Sequence, residues 1–595
     1  MKRFQAMCLA TATVLAGAAS AVNAAVFDEV PSDAVAVFEI RNLDQLNGKW
    51  GKFADSTGLA KLSPQAKDLI GTLEDQSGVS KGINTAGDFA IAGFQSDDQP
   101  PTHLALMPVS DYKAFLSNFP AGQEDVDGIT PTTGKEGKDI FIAHWGDYAA
   151  IGQTKDLVAH KPQGIKLNGL AADALKNKDA IVYFNMDQVR TEELPELKQN
   201  RDAIIQKIIE KQKQADPAME KLGWNLIFDQ SEEFLQDAKS AVITMNITDD
   251  GISLGSAADF MPNTPFSQLA AAMKGTDQPL LAGLPDKKYL LLVGEALSPE
   301  LKQQIQTMVL DPLAKQLDTT DAKQKALSDA LATGKAKLAA TDGAALGLVT
   351  PTGNPGQDSM VQLVGAITGD AAGWKKAELA GLQGVNDLYK NGDPNAPMTV
   401  TVDVKPDATT VGDVHLDQFS IKTDINGTGQ RAMQAQRVQA MIFGPNGQSG
   451  YLGAVSDKVA MITLNVDDQS PLMADATAAG KAGKDVLSSS KSVQDISSKL
   501  PSPRVAEGFV FIDQIVGVAV HYAQSMGLGI HFRLPADVAP IGFAISGDGT
   551  TARADAIIPA SLAQAIVGAV NELKNGGGGG GGGDDNGGKT PAPGM

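Results

Sequence analysis

The stretch Ala241-Val-Ile-Thr-Met-Asn-Ile-Thr-Asp-Asp-Gly-Ile-Ser-Leu-Gly-Ser-Ala-Ala-Asp-Phe260 reads as a strand, a tight turn and a returning strand. Ile243, Met245 and Ile247 alternate with Thr244, Asn246 and Thr248, and Ile252, Leu254, Ala258 and Phe260 resume the period of two after Asp250-Gly251. That period is the pleat of a half-buried strand, and Asp-Gly offers the positive φ that a tight hairpin turn demands. A helix is expected next, with Thr264 as N-cap, Pro265 at its first position, and Phe266, Leu269 and Met273 on one face.

The same order returns near the C-terminus. Ile541-Gly-Phe-Ala-Ile-Ser-Gly-Asp-Gly-Thr-Thr-Ala-Arg-Ala-Asp-Ala556 alternates around Asp548-Gly549, and Pro559 and Ser561 open a helix expected to bury Leu562, Ile566, Val570 and Leu573. Each hairpin is preceded by a buried strand that runs into an Asp-Gln pair and a helix. These are Ala180-Ile-Val-Tyr-Phe-Asn-Met-Asp-Gln-Val189 and Gly508-Phe-Val-Phe-Ile-Asp-Gln-Ile515, and Ala34 to Leu46 repeats the pattern. Leu284-Pro-Asp-Lys-Lys-Tyr-Leu-Leu-Leu-Val293 matches Val30-Pro-Ser-Asp-Ala-Val-Ala-Val37 as the start of a unit. A repeat of this order predicts an α+β protein of two tandem duplicated halves, 25–278 and 279–575, each a largely antiparallel sheet with packed helices.

Other stretches read as structural helices. Pro195 to Gln214 sets Leu197, Ile204, Ile205, Ile208 and Ile209 on one stripe, and Asp216-Pro217 restarts a helix carrying Leu222, Trp224, Ile227 and Phe228. Pro299 to Leu317 repeats the pattern with Leu301, Ile305, Val309 and Leu313. Pro195-Glu-Leu-Lys-Gln199 and Pro299-Glu-Leu-Lys-Gln303 are identical, which we read as helix-start chemistry.

The ends read differently. Lys2 and Arg3 precede an Ala-rich apolar run that closes at Ala21-Val-Asn-Ala-Ala25, the pattern of a secretory signal peptide over residues 1–24. Cys8 lies too early in that run for a lipid anchor, so the mature chain is expected to have no cysteine. Removing the leader leaves 48 basic residues against 70 acidic ones, a balance of −22 where the full chain has −20. Such a charge excludes nucleic acid as an expected partner and disfavours anionic membrane surfaces. No later segment has the length and apolarity of a transmembrane helix, so a periplasmic or secreted protein is expected. Eight glycines from Gly576 to Gly583 open an expected flexible tail over 576–595.

Motifs of known chemistry match only on paper. Gly583 to Thr590 has phosphate-loop spacing but lacks the flanking strand and helix. Gly251-Ile-Ser253-Leu-Gly255 matches a nucleophile elbow, yet Ser253 falls on the polar side of a hairpin strand. Gly427-Thr-Gly429-Gln-Arg-Ala432 resembles a dinucleotide fingerprint, but its strand alternates where a Rossmann strand is buried on both faces. His103, His144, His160, His415, His521 and His531 lack paired-ligand spacing, and Gln123 to Gly128 has Gly134 where a calcium loop ends in Glu. No catalytic, cofactor-binding or metal residue is therefore assigned.

The recurring opening Val30 to Phe38, the Asp-Gln strand ends and the repeated hairpin–helix resemble uncharacterised secreted bacterial proteins of unknown function. That resemblance implies no activity. The expectation is a non-enzymatic envelope protein that binds or scaffolds an envelope component or small ligand, with a cleft between the halves as the place for it. The alternative is an extracytoplasmic hydrolase whose carboxylates are dispersed in the sequence. Asp187 and Asp513, just past equivalent buried strands, are its candidates, although helix capping explains them as well.

Overall fold

In this computed structural model the described residues are 26–576, apart from 96–100, 121–126, 135–136, 162, 168, 212–216, 352, 354–358, 391–397, 426–428, 445–446, 485–489 and 531. The expected leader and the tail beyond Gly576 lie outside them; Gly576 itself ends the helix Ala560–Gly576.

The strands of the first half are β1 (Ala36–Ile40), β2 (Phe89–Phe94), β3 (Thr102–Pro108), β4 (Ile129–Thr133), β5 (Asp139–Trp145), β6 (Tyr148–Gly152), β7 (Ala180–Phe184), β8 (Ala238–Thr248) and β9 (Gly251–Phe260). The second half supplies β10 (Tyr289–Ala296), β11 (Thr341–Val349), β12 (Gln362–Gly369), β13 (Met398–Val411) and β14 (Val414–Ile425). It continues with β15 (Gln448–Ala454), β16 (Val459–Leu464), β17 (Ala506–Val510), β18 (Ile541–Asp548) and β19 (Thr551–Pro559).

All ladders between them are antiparallel, and they join into one open sheet. Its order is β4-β5-β6-β3-β2-β1-β7-β8-β9-β19-β18-β17-β10-β11-β12-β16-β15-β14-β13. From β4 inward to β9, each strand has a counterpart at the same place between β14 and β19, and β13 is added outside β14. The fold is α+β, but the sheet runs through both halves instead of forming one in each. The reason lies in the two hairpins: β8–β9 and β18–β19 each leave one edge unpaired, and a row of free backbone N–H and C=O groups seeks a partner. They pair with each other from Gly251↔Pro559 to Asp259↔Thr551.

The hairpins are legible in the sequence, with one change of register. In the first, Thr248 faces Gly251, so the turn is Asp249-Asp250 and the glycine sits on the strand. Gly251 has φ +145, and a Cβ there would lie 2.1 Å from the Ile558 carbonyl oxygen. In the second, Gly549 is in the turn at φ +58. The Thr264 cap forms as expected, its hydroxyl accepting from Ser267 N while Ser267 Oγ accepts from Thr264 N.

Helices cover both faces, which explains why β1 is buried at all five positions. Val37, Ala92, Ile181 and Val242 pack beneath Val26, Phe27 and Val30 and the helix Gly169–Asn177. Phe38, Ile40, Val182 and Met245 pack on the other side beneath the helix Leu43–Thr57. The second half repeats the arrangement, with Leu292, Val364 and Phe509 beneath Leu281, Leu284 and the helix Pro471–Ala482. The helix Ala560–Gly576 buries Leu562 and Ala565 against Val538, while Ile566 and Leu573 are exposed, against expectation.

Candidate functional site

The helices Met186–Lys211 and Pro217–Asp237 lie against each other, and an open groove of about 690 Å³ runs beside them. Pro195 does not start the first helix but stands inside it, where a proline forfeits one backbone hydrogen bond. The pair is clamped at Arg201, whose Nη1 lies 2.7 Å from Asp229 and 3.4 Å from Glu232 and whose guanidinium stands 6.0 Å from the Phe228 ring. Gln230 ties the pair to the second half by donating to the Met308 carbonyl at 2.8 Å. The groove is walled by Leu197, Ile204, Leu226, Ile227, Phe234 and Val309. At its base Phe234 meets Phe260 and Phe266 edge-on, at 5.6 and 5.5 Å. Among the described residues its only charged lining ones are Glu193 and Glu196. Ile227 and Val309 remain 52% and 37% exposed, which for large aliphatic side chains on adjacent elements is an apolar surface open to solvent. The stripe that carries Leu197 and Ile204 is legible in the sequence; that Ile227 and Val309 beside it stay exposed is not.

A second feature sits at the same rung of the two halves. In β1 and β7, Glu39 faces Ile181; in β10 and β17, Gly294 faces Glu507. Glu39 is fully buried and neither carboxyl oxygen has a hydrogen-bond partner. Arg41, two residues on and also buried, has Nε and Nη1 without partners. Burial, and repulsion from Asp88, push the Glu39 carboxyl well above the usual carboxylate range, with the attraction of Arg41 working against them. Burial and the Asp88 and Glu39 carboxyls push the Tyr148 phenol up as well. Glu507 is satisfied instead: Arg504 Nε lies 3.1 Å from its Oε2, and the Ser497 hydroxyl donates to the same oxygen at 3.2 Å. The only sequence signal for Glu39 is an acid inside the run Ala36-Val-Phe-Glu-Ile40.

Asp187 and Asp513 keep equivalent places, three residues past β7 and β17, but differ in surroundings. The Asp187 side chain is 83% exposed and pairs with Arg190 at 2.7 Å. Asp513 is 9% exposed; its Oδ2 accepts from Gln514 Nε2 at 2.7 Å and its Oδ1 has no partner. The expected cap is absent in the second half, where Phe511 holds the N-cap position and no side chain bonds the first turn. Between β7 and β17 lie five inter-strand steps, about 24 Å at ~4.8 Å each. Two carboxylates so far apart do not flank one scissile bond, which requires about 5–10 Å.

Other candidates fall to their places in the fold. Ser253 lies within β9, paired to Asn246 and Ile557, with no helix following directly. The strand before Gly429 is antiparallel to both neighbours, unlike a Rossmann first strand, and Gly427 lies outside the described residues. So do Gln123 to Val126 of the calcium-like stretch, His531, and Gly583 to Thr590. His144 stacks on Tyr112 at 4.2 Å, and burial holds the His103 ring below its usual pKa. Among the described residues no three His, Cys, Asp or Glu are placed to hold a metal ion, and no helix is long and apolar enough to cross a membrane. The expected cleft between halves is replaced at its centre by the β9–β19 ladder. No family model, no curated protein and no solved structure matches the chain.

Proposed function

We propose that the protein is a non-enzymatic binding or scaffolding module of the cell envelope, periplasmic or secreted, whose binding surface is the groove beside the helices Met186–Lys211 and Pro217–Asp237. The observation that carries this reading is an aliphatic and aromatic groove of about 690 Å³ with exposed Ile227 and Val309 on its wall, a size typical of small-molecule sites. The separation of Asp187 from Asp513 weighs against a paired-carboxylate hydrolase. We also read the matching strand order of the two halves as the mark of a duplicated unit.

A neutral apolar dye, N-phenyl-1-naphthylamine, avoids repulsion from Glu193 and Glu196 and tests the groove directly. Its fluorescence is expected to rise saturably with the wild-type protein and not with Ile227→Glu, at unchanged melting temperature. Equal enhancement by both proteins refutes the groove as the site. Cell fractionation with N-terminal sequencing of the mature chain tests the location.

A further inference from the structure

We propose a second binding site, in the other half of the molecule, for a small molecule that carries a protonated amine on an apolar body. The site is a pocket of about 430 Å³ at the start of the helix Ile512–Ser525. Asp513 lines it. An ionised carboxylate offers about four lone-pair sites, and this one, more than nine-tenths buried, receives a single donor from Gln514. Its Oδ1 has none. A buried acceptor left this way costs free energy, and a turn of the carboxyl of this pocket-lining residue lets a ligand donor recover it.

The charges around the pocket define the ligand's sign. Lys287 is already paired with Asp475 at 2.6 Å, and Lys288 lies 3.7 Å from Asp537. Asp286 and Asp513 line the same pocket with no cation within ion-pair distance among the described residues. Two carboxylates without a countercharge favour a cation. Leu292, Val493, Phe511 and Val538 supply the apolar wall for its body. A metal ion fits less well, since among the described residues no three His, Cys, Asp or Glu are placed to hold one, and Asp537 in the same lining lies against Lys288. The first-half counterpart, Asp187, is exposed and already holds Arg190, so the site belongs to one half only.

The opposing force is the positive end of the helix dipole together with the two lysines, which would draw an anion. Three probes with one alkyl chain separate these forces: hexylammonium, hexan-1-ol and hexanoate, titrated into the full chain and followed by ligand-observed NMR. Hexylammonium is expected to bind with hexan-1-ol and hexanoate much weaker. Asp513→Asn is expected to weaken hexylammonium by about tenfold or more, the scale of one charge-assisted hydrogen bond. Asp286→Asn, at an exposed position that leaves the fold intact, is expected to weaken it by a few-fold, and Asp187→Asn to leave it unchanged. Hexanoate binding as tightly as hexylammonium overturns the proposal. So does hexylammonium binding that both Asp513→Asn and Asp286→Asn leave untouched, or its failure to bind at all. Dye binding in the first-half groove is independent of every one of these outcomes.

Discussion

Glu39 and Glu507 occupy the same rung of corresponding strand pairs, but on opposite strands and in opposite states. In the second half Leu280 packs so closely on β10 that a Cβ at Gly294 would lie 2.3 Å from the Leu280 carbonyl oxygen. The acid there is carried by β17, within reach of Arg504 and Ser497. In the first half the acid is carried by β1, and its potential partner Arg41 makes no bond to it. The lesson is that burying an acid has two physical outcomes in one scaffold. A donor in reach keeps it as a partnered charge; without one, desolvation raises its pKa until the neutral form is the stable one.

The sharpest way to break this comparison is Arg504→Met. It strands a buried carboxylate, and a loss of about 3–5 kcal/mol in denaturant unfolding is expected. A loss below about 1 kcal/mol would place the Arg504–Glu507 pair among surface pairs and erase the contrast.

Glu39→Gln is expected to act the other way. The unfolded chain ionises this group near 4.5, whereas the folded chain holds its proton to higher pH. The stability from Glu39 is therefore complete below pH 4.5 and is lost as pH rises toward the folded value. Glutamine removes that loss, so a gain of roughly 1–3 kcal/mol is expected at pH 8, shrinking toward zero at pH 4. Unfolding curves at the two pH values check it; an equal effect at both would show Glu39 to be ionised in the fold.

The smallest effect sharpens the second contrast, between Asp187 and Asp513. Arg190→Ala breaks an ion pair whose carboxylate is 83% exposed, but Arg190 also donates to the Gln236 and Ala238 carbonyls. The ion-pair part, isolated by a double-mutant cycle with Asp187→Asn, is expected near 0.3–0.5 kcal/mol. A coupling several times larger would mean that the Asp187–Arg190 pair behaves as a buried pair in spite of its exposure.

What was legible in the sequence was local. Period-two alternation marked β8, β9, β18 and β19, and Thr264 with Pro265 marked a helix start, because each depends on neighbours a few residues away. Pro195 misled for the same reason: the first-turn preference of proline is local, whereas the helix that contains it already begins at Met186, just past β7. The edge-to-edge pairing of β9 with β19 carries no local signature, since nothing at Gly255 names Asp555 as its partner. Of the sites, Asp513 stood out by position, but the pocket it lines is completed by segments distant in sequence, including Val538 and Ser490. The open groove was hidden because an isoleucine stripe reads alike whether covered or bare.

The β9–β19 ladder also has a meaning in time. Gly255 and Asp555 are partners 300 residues apart. At about 5–20 residues per second of synthesis, β9 exists for roughly 15–60 s before the chain that completes its edge has been made. During that interval the centre of the finished sheet is a raw margin, open to any strand that arrives first. The long wait makes the middle of the molecule, and not its two outer strands, the place where a nascent chain most needs to be kept apart from its neighbours.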